Sequence, residues 1–273
     1  MSDIDFSKIY SFSKLNLFDK CKQQYYFNYL DPEIAPRKKE FIKPRDFKTK
    51  GSAVHDAITL FYHLPVEKRT FKNLRDCLLE AWYSEDDLSK TPPLGEIGGF
   101  TSLAHERKCY KDSLVLLKNF FEFKDINPSW FKLPTKNIKY SFSDYKDMIK
   151  PIDDIYSISG KFDRIDKLEN NNLRIIDFKT GKAKKDNFQL EFYKLLAEMN
   201  FDKKVDLVTF YYFKDKKIEN YNFSNITKDE IKNKVLEKIK EIVNTKEFSP
   251  NPNFLCNYCD FQEVCPDWKN KHK

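Results

Sequence analysis

Long apolar runs are missing from this chain. Nowhere do about 18 apolar residues follow one another, so no membrane-spanning helix is expected. The opening, Met1-Ser-Asp-Ile-Asp-Phe6, has neither a basic start nor an apolar stretch behind it. A secretory signal is therefore not expected, and the chain is assigned to the reducing cytoplasm. Internal repeats are also lacking. Large rings, by contrast, are plentiful: 25 Phe and 15 Tyr in 273 residues can bury a substantial core, leaving disorder to the termini. Lys and Arg number 49 against 42 Asp and Glu, a net charge of +7. That balance is compatible with a polyanionic partner without establishing one.

Residues 9–30 read as one helix, with Ser11 or Ser13 as its cap and Leu15, Phe18, Tyr25, Tyr26 and Tyr29 at helical spacing. Residues 37–50 carry seven basic and two acidic side chains without periodicity, which suggests a loop or short strand. Gly51-Ser52 opens a second helix to residue 63. Residues 66–131 read as helical, interrupted near Thr91-Pro92-Pro93 and Gly98-Gly99. The alternation of Ile138, Tyr140 and Phe142 predicts a strand. Further strands are expected over 155–168 and 172–179, joined by a turn at Asn170–Asn172. A helix is expected over 186–199, then a hairpin of 205–213 with 217–223 around Lys214-Asp215. Thr227 and Glu230 form a capping-box pattern for a last helix over 228–245. The sum is an α/β chain with a mixed central sheet and flanking helices.

Two acids and a lysine carry the candidate chemistry. Asp177 and Lys179 are two apart in a strand and share a face. In a hairpin centred near Asn170, residues whose numbers add to about 340 oppose each other, as those of Asp163 and Asp177 do. Opposed carboxylates repel unless a cation lies between them, and hard oxygen donors favour Mg2+ or Mn2+. Such an ion can polarise a phosphodiester and generate hydroxide. A neighbouring lysine can orient the water and stabilise the anionic transition state. A salt-bridged surface hairpin, with Arg164, Arg174 and Lys179 neutralising the acids, fits the same residues. His55, early in a helix, is a possible third ligand. Gln189 and Tyr193 sit one helical turn apart on a common face.

Cys256, Cys259 and Cys265 follow a Cys-x2-Cys-x5-Cys spacing, and Cys21 lies far upstream. Four thiolates suit zinc or an iron–sulfur cluster. No second close pair of cysteines stands nearby, as a zinc knuckle would have. A distant cysteine completing a C-terminal trio points to a cluster tying the chain ends together. Cys77 and Cys109 read as packed thiols.

Together these segments resemble the RecB-like exonucleases of the PD-(D/E)XK superfamily. The iron–sulfur branch, with CRISPR-associated RecB-like exonucleases and the nuclease domains of AddB-type helicase–nucleases, is the nearest in pattern. The likeness runs from Ser11 to Cys265. It rests on Ser11 to Tyr25, Gly51 to His55, Gly160 to Asp166, Asp177-Phe178-Lys179-Thr-Gly181, Gln189 to Tyr193, and the last three cysteines. The resemblance implies a restriction-endonuclease-like core with a helical insertion and a C-terminal cluster segment. The expected divisions are 1–50 (N-terminal helix and basic segment), 51–135 (helical, carrying His55), 136–249 (nuclease core) and 250–273 (cysteine segment packing with Cys21). It also implies that His55, Asp163, Asp177 and the Phe178 carbonyl bind Mg2+ or Mn2+. Lys179 would be the catalytic lysine, and Gln189 and Tyr193 would support the site and contact nucleic acid. Cys21, Cys256, Cys259 and Cys265 would hold a [4Fe-4S] cluster. Asp166 would orient Arg164 or cap the hairpin. The stretch 66–131 could arch over the site and admit only a single strand or an end, or could be packing. The implied activity is a DNA nuclease acting on single strands or ends, with possible CRISPR-adaptation or helicase partner proteins. A non-catalytic DNA-binding module of this fold, or a zinc-stapled nuclease subunit of a helicase–nuclease, is the alternative.

Overall fold

The computed structural model describes residues 5–82, 95–133, 148–181, 187–223 and 225–271. The strand expected around 138–142 lies outside them. The chain divides into two compact units. One comprises residues 44–148 and 161–228, the other residues 1–43, 149–160 and 229–273.

The larger unit is built on a five-stranded sheet. Its strands are β2 (Trp130–Lys132), β5 (Arg164–Lys167), β6 (Leu173–Lys179), β7 (Val205–Tyr212) and β8 (Lys217–Asn222), in the order β2-β5-β6-β7-β8. β6 pairs antiparallel with β5 and parallel with β7, so the sheet is mixed. A parallel pair needs a crossover. Helix α7 (Asn187–Phe201), between β6 and β7, supplies it and buries Leu190, Phe192, Leu195 and Leu196. Three earlier helices, α4 (Asp46–His63), α5 (Phe71–Trp82) and α6 (Leu103–Glu122), share one core with the sheet. Val54, Ile58, Phe61, Leu78, Leu117 and Phe120 meet Ile176, Phe178, Tyr211 and Phe213 there. Ile176 and Phe178 point into this core. The alternating residues, Asp177 and Lys179, therefore face the side of the sheet where α7 presents Gln189.

The smaller unit holds a three-stranded sheet of β1 (Ile9–Ser11), β4 (Ser157–Ser159) and β3 (Lys150–Pro151), in the order β1-β4-β3. Helices α1 (Phe12–Lys20), α2 (Lys22–Tyr29), α3 (Lys38–Phe41), α8 (Lys228–Asn244, all but its first residue) and α9 (Pro266–Lys271) complete it. Ser11 caps α1, its hydroxyl accepting from Lys14 N–H at 3.2 Å. Phe27 and Phe41 each place their ring centroid 5.6 Å from that of Phe261, fastening the early helices to the cysteine segment.

Several local expectations need correction. Residues 9–30 are a strand and two helices, because Cys21 adopts extended backbone (φ −164°, ψ 109°) and turns its sulfur to Gln24 N–H instead of continuing the helix. Residues 37–50 contain helix α3 and the start of α4, so Gly51 and Ser52 lie within α4. Residues 155–168 form two strands in different sheets, separated at Gly160–Asp163. The helical stretch ends at Glu122, and Trp130–Lys132 is an edge strand of the larger sheet. The described parts of 66–131 that form α5 and α6 are packing layers of the core. Among the described residues, no helix is long and apolar enough to cross a membrane.

Gly99 is where the backbone itself limits the sequence. Its φ is +80°, and a Cβ there would come within 2.6 Å of the backbone nitrogens of Arg45 and Asp46 at the start of α4. Gly99→Ala is expected to cost about 2–3 kcal/mol, from the positive φ and the backbone clash. A urea titration should show a lower midpoint with an unchanged slope. An unaltered midpoint would mean that this contact is not made.

Candidate functional site

The β5–β6 ladder fixes the geometry of the larger unit's polar centre. Arg164 pairs with Ile176 and Ile165 with Ile175, so opposed numbers add to 340 as expected. Asp163, one step before β5, thereby comes level with Asp177. Both oxygens of Asp163 are engaged: Oδ1 lies 2.8 Å from His55 Nδ1, and Oδ2 accepts the Phe178 N–H at 2.7 Å. Asp177 is different. Its Oδ2 is buried and 2.5 Å from Lys179 Nζ, an ion-pair contact that lacks hydrogen-bond alignment. Lys179 Nζ also reaches Gln189 Oε1 at 3.5 Å, and Gln189 Nε2 donates to the Tyr193 hydroxyl at 3.2 Å. His55, Asp163, Asp177, Lys179, Gln189 and Tyr193 therefore form one connected group.

The electrostatics follow from crowding two acids in a partly enclosed place. Burial, then the charge of Asp163, pushes Asp177 up to about 6. Burial works against Asp163 too, but His55 and the Phe178 N–H outweigh it and hold this carboxyl below its ordinary value. Burial opposes a charged His55, yet Asp163 and then Asp177 raise it to about 9. Burial raises Tyr193 as well. Without a further cation, His55 and Lys179 carry the positive charge of the site.

These residues fit a divalent ion. The unsatisfied Asp177 oxygen, the opposed carboxylate of Asp163 and an imidazole make a hard donor set suited to Mg2+ or Mn2+. Sequence reading passed over Asp56, an acid beside His55 that burial raises to about 6, against the charges of His55 and Lys161 and with that of Asp163. Its position directly after the Gly51–His55 motif was the available signal.

In the smaller unit, Cys21, Cys256, Cys259 and Cys265 line one hollow with Phe27, Phe261 and Trp268, partly continuous with solvent. Backbone N–H groups donate to two of the sulfurs: Gln24 to Cys21 and Asn253 to Cys256, both at 3.4 Å. Burial, with Cys21 and Cys265 close by, pushes the Cys259 thiol up to about 11, against a hydrogen bond from the Phe261 backbone. Thiols held together like this favour a cation that takes their protons. Cys77 and Cys109 are buried in the larger unit and form no disulfide.

One further trio, Asp46, His105 and Cys109, brings its ligand atoms within 4.8 Å of one another. Thr101 N–H points at His105 Nδ1 (3.2 Å), while Nε2 lies 3.3 Å from Asp46 Oδ2, and the Cys109 thiol donates to the same oxygen at 3.8 Å, so the trio joins α4 to α6.

Gene 69 protein of Mycobacterium phage L5 is 27% identical over 154 residues, 54% of this chain and 50% of that protein. The chain thus spans about half the length of this curated relative. The crystal structure of SSO0001 is similar at 12% identity and a TM-score of 0.39, covering 97% of this chain and 89% of that one, a likeness too remote to bear on function. The family model of the PD-(D/E)XK nuclease superfamily matches residues 9–266. That span takes in both the acidic centre and all four clustered cysteines. Members are generally phosphodiesterase nucleases that use divalent metals and act on nucleic acid, and the mixed sheet with flanking helices agrees with their fold. The chain belongs to the PD-(D/E)XK nuclease superfamily.

Proposed function

We propose that the chain is a divalent-metal-dependent deoxyribonuclease of the RecB-like, iron–sulfur branch, acting on single-stranded DNA or on DNA ends. The buried Asp177 oxygen that lacks a hydrogen bond, level with Asp163 and beside Lys179, carries this reading. His55, Asp163, Asp177 and the Phe178 carbonyl are the assigned ligands. A bound Mg2+ or Mn2+ supplies Lewis acidity toward the scissile phosphate and acidifies a water. Lys179 orients the attacking water and offsets the charge that grows on the phosphate. Gln189 positions Lys179, and Tyr193 holds Gln189 through its hydroxyl. The preference for single strands or ends and CRISPR-adaptation or helicase partners come from the resemblance of the motifs.

The four cysteines are assigned to a [4Fe-4S] cluster that fastens the chain ends within the smaller unit. The shared hollow and the N–H···S bonds support this assignment. The cluster's part is stability and not phosphodiester chemistry.

Two experiments test the proposal. Asp177→Asn and Lys179→Ala are each expected to lower Mg2+- or Mn2+-dependent cleavage of end-labelled DNA by about 100-fold or more, with unchanged circular dichroism. Parental cleavage by either variant would refute the assigned site. Tight DNA binding by the parent, without cleavage across metals and substrates, would favour a binding module instead. For the cysteines, anaerobically purified protein should contain iron, and Cys256→Ser should lower the melting temperature by about 5 °C or more. A colourless, zinc-loaded, iron-free parent would retire the cluster.

A further inference from the structure

Arg164 opens β5 directly after Asp163, and it is completely buried. Its Nη1 donates to the Tyr62 hydroxyl at 2.5 Å. Nη2 donates to Asp125 Oδ2 at 2.6 Å and to Asp166 Oδ2 at 2.9 Å. Nε stands 2.9 Å from Asp166 Oδ1 as an ion pair without hydrogen-bond alignment. The partners are themselves tied down. The Tyr62 hydroxyl donates to the Asp125 carbonyl, and the Tyr211 hydroxyl to Asp125 Oδ2, both at 2.8 Å. Arg174 donates to the Tyr211 and Thr209 hydroxyls. Two arginines face two aspartates, so the network is neutral.

Buried charges of this kind add little net stability over apolar packing of the same volume, but breaking one is costly. Their best-attested use is to fix one arrangement against its near alternatives. Here the near alternative is concrete. Slipping β5 by one residue against β6 would carry Asp163 away from Asp177 and put a guanidinium in its place. Tyr62 is on α4, seven residues after His55, and so on the same helix face two turns along. One side chain thus grips the helix that carries His55 and the strand that continues Asp163.

We propose that Arg164 is the positioning residue of the acidic centre. Through Tyr62 it pins α4 to β5, and through Asp125 it adds the segment after α6. It holds His55 and Asp163 at bonding distance while touching neither metal nor substrate. This rests on the metal-site reading above. A purely structural role makes a different forecast: loss of melting temperature with an intact site in whatever protein folds.

The test compares the parent with Tyr62→Phe, Arg164→Met, Arg164→Lys, Arg164→Met/Asp166→Asn and, as a control, Asp177→Asn. Three quantities are read in the full chain: melting temperature, Mn2+ affinity by electron paramagnetic resonance, and the His55 ring nitrogen shifts of metal-free protein. Tyr62→Phe is expected to melt within a few degrees of the parent, yet to bind Mn2+ about 5-fold more weakly and to lose the shift signature of the Asp163 bond. Arg164→Met should weaken binding about 10-fold or more. Asp166→Asn, by removing the orphaned acid, should restore melting temperature but not affinity, and Arg164→Lys should recover affinity only in part. If Arg164→Met does not fold, Tyr62→Phe decides. A folded variant lacking the guanidinium or the Tyr62 hydroxyl, with parental Mn2+ affinity and a parental His55 signal, would overturn the inference. If Asp177→Asn bound Mn2+ like the parent, or the parent bound none, the metal reading would fall instead. The metal-free His55 signal would then decide the positioning role by itself.

Discussion

Pairing between two strands has a period of two, so a slip of one residue turns every side chain to the opposite face. In the β5–β6 hairpin, that constraint separates a reactive centre from an ordinary pair of strands. With Arg164 opposite Ile176, Asp163 comes level with Asp177 while Ile175 and Ile176 remain fully buried. The turn helps to set this register. Asn171 takes a left-handed φ of 68°, Leu168 accepts its N–H, and Leu168 donates in turn to the Asn172 carbonyl. On the far side, the parallel pairing of β6 with β7 runs along the whole strand, from Leu173 to Lys179, so β6 has little freedom to shift. What remains movable is β5, a short strand, and it is there that the buried Arg164 network lies.

The same register creates the electrostatic problem that the surrounding groups answer unevenly. Asp163 receives an imidazole and a backbone N–H, and stays acidic. Asp177 Oδ2 receives a poorly aligned ammonium, and burial with the charge of Asp163 pushes this carboxyl up to about 6. Two carboxylates placed level with each other would normally both be solvated or both be paired. Leaving one oxygen buried and unsatisfied costs free energy in the protein alone, and a divalent cation would return it. The asymmetry is thus better explained by ligand binding than by hairpin stability.

Much of this was legible from sequence, and the reasons for the failures are physical. Period-two spacing placed Asp177 beside Lys179, and the Asn-rich turn gave the register, because both depend on local chain geometry. The helix and hairpin after residue 186 were visible for the same reason. The reading erred wherever a single residue interrupts a periodic pattern for tertiary reasons. Cys21 breaks a continuous aromatic spacing because its sulfur turns toward the hollow and caps the next helix. Residues 155–168 look like one strand, but their two halves pair in different sheets, and no local signal records which partner a strand will find. Helix α4 starts before the glycine that was read as its beginning, since Gly51 within a helix is a modest cost that burial of the apolar face offsets. The complete burial of Arg164, which the sequence offers only as a cation paired with the acids or oriented by Asp166, and the place of Asp56 were hidden for another reason. Each residue adjoins one with a clearer signal, and the difference between an exposed and a buried charge is absent from a sequence.

The cysteines place a second demand on the same chain. Cys21 belongs to the break between α1 and α2, whereas Cys256 lies within, and Cys259 directly after, a short helical turn whose Phe254 and Tyr258 stay exposed. The segment is held to the rest of the unit by the Phe27 and Phe41 rings on the buried Phe261, by the Lys43 N–H donating to Asp260, by Lys43 Nζ against Gln262 and Glu263, and by Asn251 donating to the Lys20 carbonyl. Closing a loop of more than two hundred residues is entropically expensive. Four thiolates around one inorganic centre would add a cross-link between the two ends of that loop. On this argument the cluster's contribution should be largest for the unit that contains both ends of the chain, and the acidic centre, built wholly from residues 44–148 and 161–228, needs it only indirectly.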